Sequence, residues 1–340
     1  MYAALDIGGT KIAGALIDDS GRILVRARRP TPADGPAAAL MSAVTAVVDE
    51  LAQDPRWEAL TCLGIASAGP VDAAAGTVSP VNIPAWRSFP LADEVRSHPR
   101  LPAAIAPVLI GDAVAMASAE HWLGAAKGVA NALCMVVSTG VGGGLILNGA
   151  LHPGPTGNAG HIGHISVDLD GAPCPCGARG CVEVMAGGPA IARHALDAGW
   201  SPPPGVPPSA AAVAVAAHAG DPRALAAYER AAQALAAGIA ATASLVELEL
   251  VVIGGGVAQA GEILLAPLRR QLPRYATLDF TRDLRVTASR LALDAGLIGA
   301  AGAAARGARC PAGEAARGQG RSHLTGRQRH ARQTPHRPGS

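Results

Sequence analysis

An α/β protein in two halves, with ligand-binding turns between them, is the fold that this 340-residue sequence predicts. Three observations carry that reading. Short apolar strand runs alternate with alanine-rich helical runs, glycine turns stand at the strand ends, and a strand–glycine turn–strand plan occurs twice, about 130 residues apart.

The start reads as a strand, a tight turn and a returning strand (YAALDIGG, TKIAG, ALIDD), and a turn at Ser20 and Gly21 leads into a third strand, ILVRAR. Residues 36–53 form an alanine-rich helix with Ser42 and Thr45 on its polar side. TCLGIASAGPV is a buried strand ending in a Gly-Pro turn. APVLIGDAVAMASAEHWLG begins as a strand, stops at Gly111 and Asp112, and continues as a helix. ALCMVVSTGVGGGLILNG repeats the opening plan. After a cysteine-rich loop, SPPPGVPPS (201–209) is a surface loop, 221–246 a long helix, and ELVVIGGGV a buried strand running into a glycine turn and another helix. LALDAGLIGAAGAAA closes the pattern as a helix after a strand. The expected division is a smaller α/β domain (1–110), a larger one (111–306) whose closing helix, about 294–306, is placed to pack back on the first, and a tail (307–340). The tail is Arg, Gln, His, Gly and Ser with almost no large apolar residues, a composition that buries no core and predicts disorder.

Nearly half of the residues (49%) are hydrophobic and only 3% aromatic, so the cores are sizeable and built on small side chains. The net charge of +2 hides an asymmetry. From residue 307 onward seven arginines face one acid, a charge of +6, which leaves −4 on the preceding residues. An acidic body argues against a nucleic-acid partner. No run reaches the roughly 20 apolar residues of a membrane span, and Asp6 interrupts the only early apolar run, which argues against a signal peptide. With six cysteines, three of them scattered (Cys62, Cys134, Cys310), the expectation is a soluble protein of a reducing cytoplasm.

The other three cysteines stand in GHIGHISVDLDGAPCPCGARGCVE, residues 160–183. Cys174, Cys176 and Cys181 have C-x-C-x4-C spacing, with His161 and His164 upstream. Three thiolates and one imidazole make a closed tetrahedral shell for structural Zn²⁺; the alternatives are a disulfide or chance placement in a Gly/Pro-rich turn.

Three glycine turns carry the remaining chemistry. In Asp6-Ile7-Gly8-Gly9-Thr10-Lys11, glycines let backbone N–H groups approach phosphate oxygens and Thr10 adds a donor. Asp6 is placed to orient water on Mg²⁺ and Lys11 to neutralise charge. Ser138-Thr139-Gly140-Val141-Gly142-Gly143-Gly144 has the same chemistry, and Gly254, Gly255 and Gly256 offer flat backbone for an adenine or ribose. None fits a P-loop, and GVGGG lacks the strand–helix setting of a nicotinamide site. Local sequence alone reads Asp112 as an N-cap or as an ionised group at a helix N-terminus.

Together these pieces resemble the ROK family (repressors, open reading frames and kinases) from Ala3 to about Ala305. LDIGGTK and STGVGGG resemble its two phosphate motifs, GPV (Gly69, Pro70, Val71) with SPVNIPAW its sugar loop, GNAGHIGH with CPCGARGCVE its zinc signature, and VVIGGGV its adenosine motif. The resemblance implies a two-domain actin/hexokinase-like (ribonuclease H-like) fold with a central cleft, and transfer of the γ-phosphate of ATP to the hydroxymethyl group of a hexose. It implies Asp112 as general base, and Gly69, Asn82, His161, His164 and Glu183 beside Asp112 at the acceptor, with His164 also completing the zinc shell. It further implies a homodimer. Two residues depart from the pattern: Gly111 replaces the usual Asn, and His161 the usual Glu. Glucose is the default acceptor, and a C7-cyclitol with a hydroxymethyl arm is its rival. A repressor of the family carries an N-terminal helix-turn-helix, for which a first strand beginning at residue 2 leaves no room; a non-catalytic sugar-binding protein is the remaining alternative.

Overall fold

The computed structural model describes residues 1–291 and 294–307, so the predicted disordered tail lies outside the described residues apart from its first position. Three antiparallel strands open the chain, β1 (Tyr2–Ile7), β2 (Lys11–Ile17) and β3 (Ile23–Pro30). Helix α1 (Ala37–Leu51) starts directly after Pro36, whose fixed φ suits a helix entrance, and buries Leu40, Val44, Val47, Val48 and Leu51 at helical spacing. Strand β4 (Cys62–Ser67), the small pair β5 (Val71–Asp72) and β6 (Thr77–Val78), helix α2 (Leu91–Arg96) and strand β7 (Val108–Gly111) follow. The first sheet runs β3-β2-β1-β4-β7, with β1, β4 and β7 parallel.

Helix α3 (Asp112–Trp122) leads to the second sheet through β8 (Ala132–Val137), β9 (Val141–Leu147) and β10 (Ala150–His152). The chain continues through α4 (Val182–Ala186), α5 (Gly188–Asp197), α6 (Ala210–His218) and α7 (Pro222–Val246). It ends with β11 (Leu250–Gly254), α8 (Glu262–Gln271), β12 (Arg285–Ala288) and α9 (Ala295–Gly307). The second sheet runs β10-β9-β8-β11-β12. The long helix begins where the sequence places it, because Asp221 accepts hydrogen bonds from the Arg223 and Ala224 N–H groups and Pro222 occupies its first position. Helices α4 to α6 have no counterpart in the sequence reading. No described helix is long and apolar enough to cross a membrane.

Alternation along the strands sets the layers. In β1, Ala3, Leu5 and Ile7 share one core with Val44, Val47 and Val48 of α1, while Tyr2 and Ala4 share another with Val114 and Ala115 of α3 and Leu297, Ala300 and Ala301 of α9. The other sides of α3 and α9, with Met116, Ala117 and Ile298, pack on Ala132, Cys134 and Val252 of the second sheet. The far face of that sheet, with Leu133, Met135, Val251 and Ile253, is covered by α4 to α8. Helices α3 and α9 thus form one layer between two sheets.

Such a layer requires small residues where its helices meet. A Cβ on Gly299 would overlap the Ala115 carbonyl of α3, and one on Gly64 of β4 would overlap the Ala300 carbonyl of α9. Backbone atoms occupy both places, so no side-chain rearrangement makes room. Gly299→Ala is therefore expected to cost about 1–3 kcal/mol or more by overpacking. Urea unfolding should show a lowered midpoint with an unchanged m-value, and an unchanged midpoint would mean that the two helices have room to part.

Candidate active site

The predicted motifs converge because parallel strands deliver them to one edge. Ile7 of β1 pairs with Ser67 of β4, and Ser67 with Gly111 of β7, so the first glycine turn, the Gly69-Pro70 turn (a cis peptide) and Asp112 all leave the first sheet side by side. In the second sheet Gly254 pairs with Val136, which places the turns at 138–140 and 254–256 together. Ligands of open α/β sheets bind at such carboxyl ends.

The first turn is held by Gly8 N–H donating to Lys11 O (3.0 Å), Thr31 Oγ1 donating to Gly8 O (2.7 Å) and Thr31 N–H donating to Thr10 O (3.1 Å). Thr10 itself is exposed. Asn82 lies against Gly9, where its amide fills the space of the missing side chain. Asp6 shares the strand face of Tyr2 and Ala4, which turns it toward α9, and a Cβ on Gly296 would stand 2.7 Å from its carboxyl carbon. Burial pushes Asp6 up to about 6; Lys11 pulls it down and the charge of Asp112 pushes it further up. Asp112 opens α3 and is accessible to solvent, but protein surrounds it on its other sides. That desolvation holds its carboxyl above the usual range, against the Ala113 N–H (2.7 Å) and the nearby His161, which lower it.

The second turn is closed by Ser138 N–H donating to Gly140 O (2.8 Å), and its tip, Thr139, is exposed. Glu183, in the first turn of α4, accepts the Val141 N–H (2.9 Å) and lies 2.5 Å from where a Gly140 Cβ would be. The start of α5 abuts the same turn through Gly188 N–H donating to Ser138 O (2.7 Å). Gly255, with φ of +92°, sits on the Val137 backbone, and Gly256 would meet Ser138 Oγ at 3.5 Å. Gly142 and Gly143 have a packing reason of their own. Cβ atoms there would stand 3.0 Å from Ala113 Cβ and 2.8 Å from Gly160 O, so these glycines let β9 lie against α3 and the cysteine loop. Thr139 and Gly140 are the part of the motif left at the open end.

In the cysteine loop, one ligand atom each from His164, Cys174, Cys176 and Cys181 lies within 4.8 Å of the others. Cys174 Sγ stands 3.7 Å from His164 Nδ1, and Cys176 Sγ 3.8 Å from Cys181 Sγ. Zinc bond lengths of about 2.3 Å to sulfur and 2.0–2.1 Å to nitrogen set tetrahedral edges of about 3.8 and 3.6 Å, so the donor set fits the ion. It does not fit a disulfide, whose sulfurs are about 2.05 Å apart. His161 Nδ1–H donates to the Asn158 carbonyl (2.8 Å), which leaves Nε2 as the free ring nitrogen, 3.9 Å from where a Gly69 Cβ would be. The His161 and His164 rings stack with centroids 6.1 Å apart. The structure thus brings Gly69, Asp112, His161 and His164 together, puts Asn82 at the first turn and Glu183 at the second.

Three contributors had no role of their own in the sequence reading: Gly296 beside Asp6, the start of α5, and Asn158, quoted there only within GNAGHIGH. The Asn158 side chain accepts the Val71 N–H (3.2 Å) and donates to Val71 O (2.6 Å), joining the Gly69-Pro70 turn to the cysteine loop. Its setting between glycine and alanine in GNAGH was the available signal.

The class that these features define is the actin/hexokinase-like α/β fold, with glycine turns at the carboxyl ends of strands in two sheets. The chain belongs to the ROK family, whose model matches residues 2–306. It is 34% identical over 312 residues to a glucokinase of Streptomyces coelicolor, covering 87% of this chain and 95% of that protein. It is 38% identical over 298 residues to an N-acetylmannosamine kinase of Yersinia pseudotuberculosis, covering 88% and 96%. It is also similar to the crystal structure of a ROK family glucokinase from Streptomyces griseus in complex with glucose and AMPPNP, with 34% identity, a TM-score of 0.76, and 90% of this chain and 99% of that one covered.

The raised Asp6 gives a signed test. The ligand-free fold favours its protonated form, so the stabilisation from this group is complete below pH 3.8 and is lost as pH rises through about 6. Asp6→Asn removes the titration. Between about pH 4 and pH 7 the unfolding free energy of Asp6→Asn should gain on that of the wild type by up to about 3 kcal/mol. A difference that stays flat with pH would return Asp6 to an ordinary carboxyl.

Proposed function

We propose that this ATP-dependent carbohydrate kinase transfers the γ-phosphate to the hydroxymethyl group of a hexose or a hexose-like polyol, with Asp112 as the general base. The observation that carries the reading is the position of Asp112, an accessible carboxyl at the β7–α3 junction that leaves the first sheet beside the Gly69-Pro70 turn and lies within electrostatic reach of Asp6 and His161.

The roles follow the family resemblance, and the geometry supports them. Backbone N–H groups of Gly9 and Thr10, in the turn that Gly8 closes, and of Thr139 and Gly140 face the phosphates, and the Gly254–Gly256 turn faces the adenosine. Mg²⁺ arriving with the nucleotide supplies positive charge to the phosphoryl oxygens, and Asp6 and Lys11 are the residues placed to hold its water and to balance charge. Asn82, His161 Nε2, His164 and Glu183 hold acceptor hydroxyls, which orients the reacting oxygen toward Asp112. Phosphoryl transfer depends mainly on placement and charge neutralisation, and Asp112 accepts the hydroxyl proton as the oxygen attacks. Desolvation holds its carboxyl above the ordinary aspartate range, which strengthens it as a proton acceptor. The two sheets act as the cores of two lobes, residues 1–110 and 111–306. A cyclitol with a hydroxymethyl arm is the second reading of the acceptor, favoured by Gly111 and His161 where the family pattern has Asn and Glu.

ATP with a panel of hexoses, hexosamines and cyclitols should yield ADP, and Asp112→Asn should lower kcat by about 10²–10⁴-fold with little change in the KM for ATP. A variant within about threefold of wild type would remove Asp112 from the base role. Elemental analysis should find about one zinc per chain, bound by His164, Cys174, Cys176 and Cys181, and Cys174→Ala should lose the ion and unfold at lower temperature. A folded, zinc-free wild type would end the zinc assignment.

A further inference from the structure

Among the described residues β5 pairs only with β6, which leaves one residue with its backbone turned outward. Val71 stands opposite Val78, while Ser79 N–H donates to Pro70 O (2.9 Å) and Val78 N–H turns away to Phe89 O (3.0 Å). In an antiparallel pair, this pattern points the Val71 N–H and C=O away from the partner strand. Val71 is also buried, and a buried backbone group without a partner costs about as much as a lost hydrogen bond.

Asn158 answers both groups. Its Oδ1 accepts the Val71 N–H (3.2 Å), and its Nδ2 donates to Val71 O (2.6 Å) and to Thr156 Oγ1 (3.0 Å). An amide does this because it presents an acceptor and a donor as neighbouring atoms. On either side of this bond pair, Thr156 O accepts the Ala73 N–H (2.9 Å), and Gly157 lies so close that a Cβ would stand 3.1 Å from Ala73 Cβ and Val71 Cγ2. Residues 156–158 thus cover the free side of β5 in place of a further strand.

The same residue reaches the other bank of the site. Its carbonyl accepts His161 Nδ1–H (2.8 Å), which leaves Nε2 on the side of Gly69, two residues before Val71. Asn158 therefore holds the Gly69-Pro70 turn by its side chain and His161 by its backbone. The glycine turns of the nucleotide side are held by other contacts, Thr31 at the first and Gly188 at the second.

Resting on the kinase reading above, we propose that Asn158 is a positioning residue for phosphoryl transfer. Its amide fixes the spacing between the Gly69-Pro70 turn and His161, and so aims the acceptor hydroxyl at Asp112 without touching the acceptor. Small displacements of a reacting group are costly, so loss of this clasp acts on the acceptor and spares ATP. A residue that only filled space would be replaced by its isostere. As a clasp it would not, because Asn158→Asp removes the donor and sets a carboxylate against the Val71 carbonyl.

Asn158→Ala and Asn158→Asp are assayed for ADP formation with the acceptor that the wild type turns over best. Both are expected to lower kcat/KM for the acceptor by at least about tenfold and to leave the KM for ATP within about twofold. Amide hydrogen exchange reads the clasp without turnover: the Val71 N–H should exchange at least about tenfold faster in Asn158→Ala than in the wild type. Wild-type kcat/KM in Asn158→Asp, an equal loss on acceptor and ATP, or unchanged Val71 exchange in Asn158→Ala overturns the inference and leaves the kinase reading standing. A wild type that turns over no acceptor takes down the kinase reading and the positioning role with it.

Discussion

The rest of the structure depends on the close crossing of α3 and α9. One helix follows the last strand of the first sheet and the other ends the described chain, yet they share a single layer and are covered by a sheet on each side. Two helices confined in this way carry alanine and glycine at their closest approaches, Gly299 against Ala115 and Ala300 against Gly64, because a larger residue there would displace a backbone. The layer in turn fixes the chemistry. Asp112 starts α3, and Asp6 ends on the strand face that looks toward the start of α9, so the separation of the two carboxylates follows from helix packing. At its other end α3 carries Glu120, fully buried, whose carboxylate accepts Ser289 Oγ–H (2.6 Å) and the N–H groups of Ala125 (2.6 Å), Arg290 (3.1 Å) and Leu291 (3.2 Å). Four donors to one buried charge offset its desolvation and tie down the segment that leads toward α9.

Two acids held near each other in a desolvated region set the electrostatics. Burial raises both, each in a different balance: Asp6 against Lys11, Asp112 against a backbone N–H and His161. A site that binds polyphosphate would repel it with two bare carboxylates, so the charge of Lys11 and of a cation brought by the nucleotide belongs to the same balance. In the proposed base role the raised Asp112 is then useful, since a base with a carboxyl above the ordinary range takes a proton more readily from a hydroxyl.

Local features were the legible ones. The two strand–glycine turn–strand units were readable because apolar runs and tight turns are written in consecutive residues, and they became the hairpins β1–β2 and β8–β9, one in each sheet. The cysteine spacing and the long helix capped by Asp221 were readable for the same reason. The layer order was not, because it rests on contacts between residues such as Ala115 and Gly299, far apart in the chain. Glycine strings are also ambiguous: Gly142 and Gly143 spell a phosphate loop, although helix and loop packing suffices to require them. Glu120 looks like any acid on a helix until the fold encloses it, and α4 to α6 follow the cysteine loop in a stretch of alanine, glycine and proline with weak periodicity.

In the proposed site the cysteine loop bears on the acceptor without the sulfurs having to touch it. His164 presents Nδ1 to Cys174, which turns the other ring edge away from the thiols, and His161 stacks on that ring. Asn158 then joins the loop to β5 through two side-chain hydrogen bonds with the Val71 backbone, and its carbonyl holds His161 Nδ1 within the loop. A shift of the loop would therefore move both imidazoles and the Gly69-Pro70 turn together. In the proposed site, an ion bound by His164, Cys174, Cys176 and Cys181 would restrain His161 beside Gly69 and Asp112 through the stacked His164 ring, linking metal and acceptor through geometry.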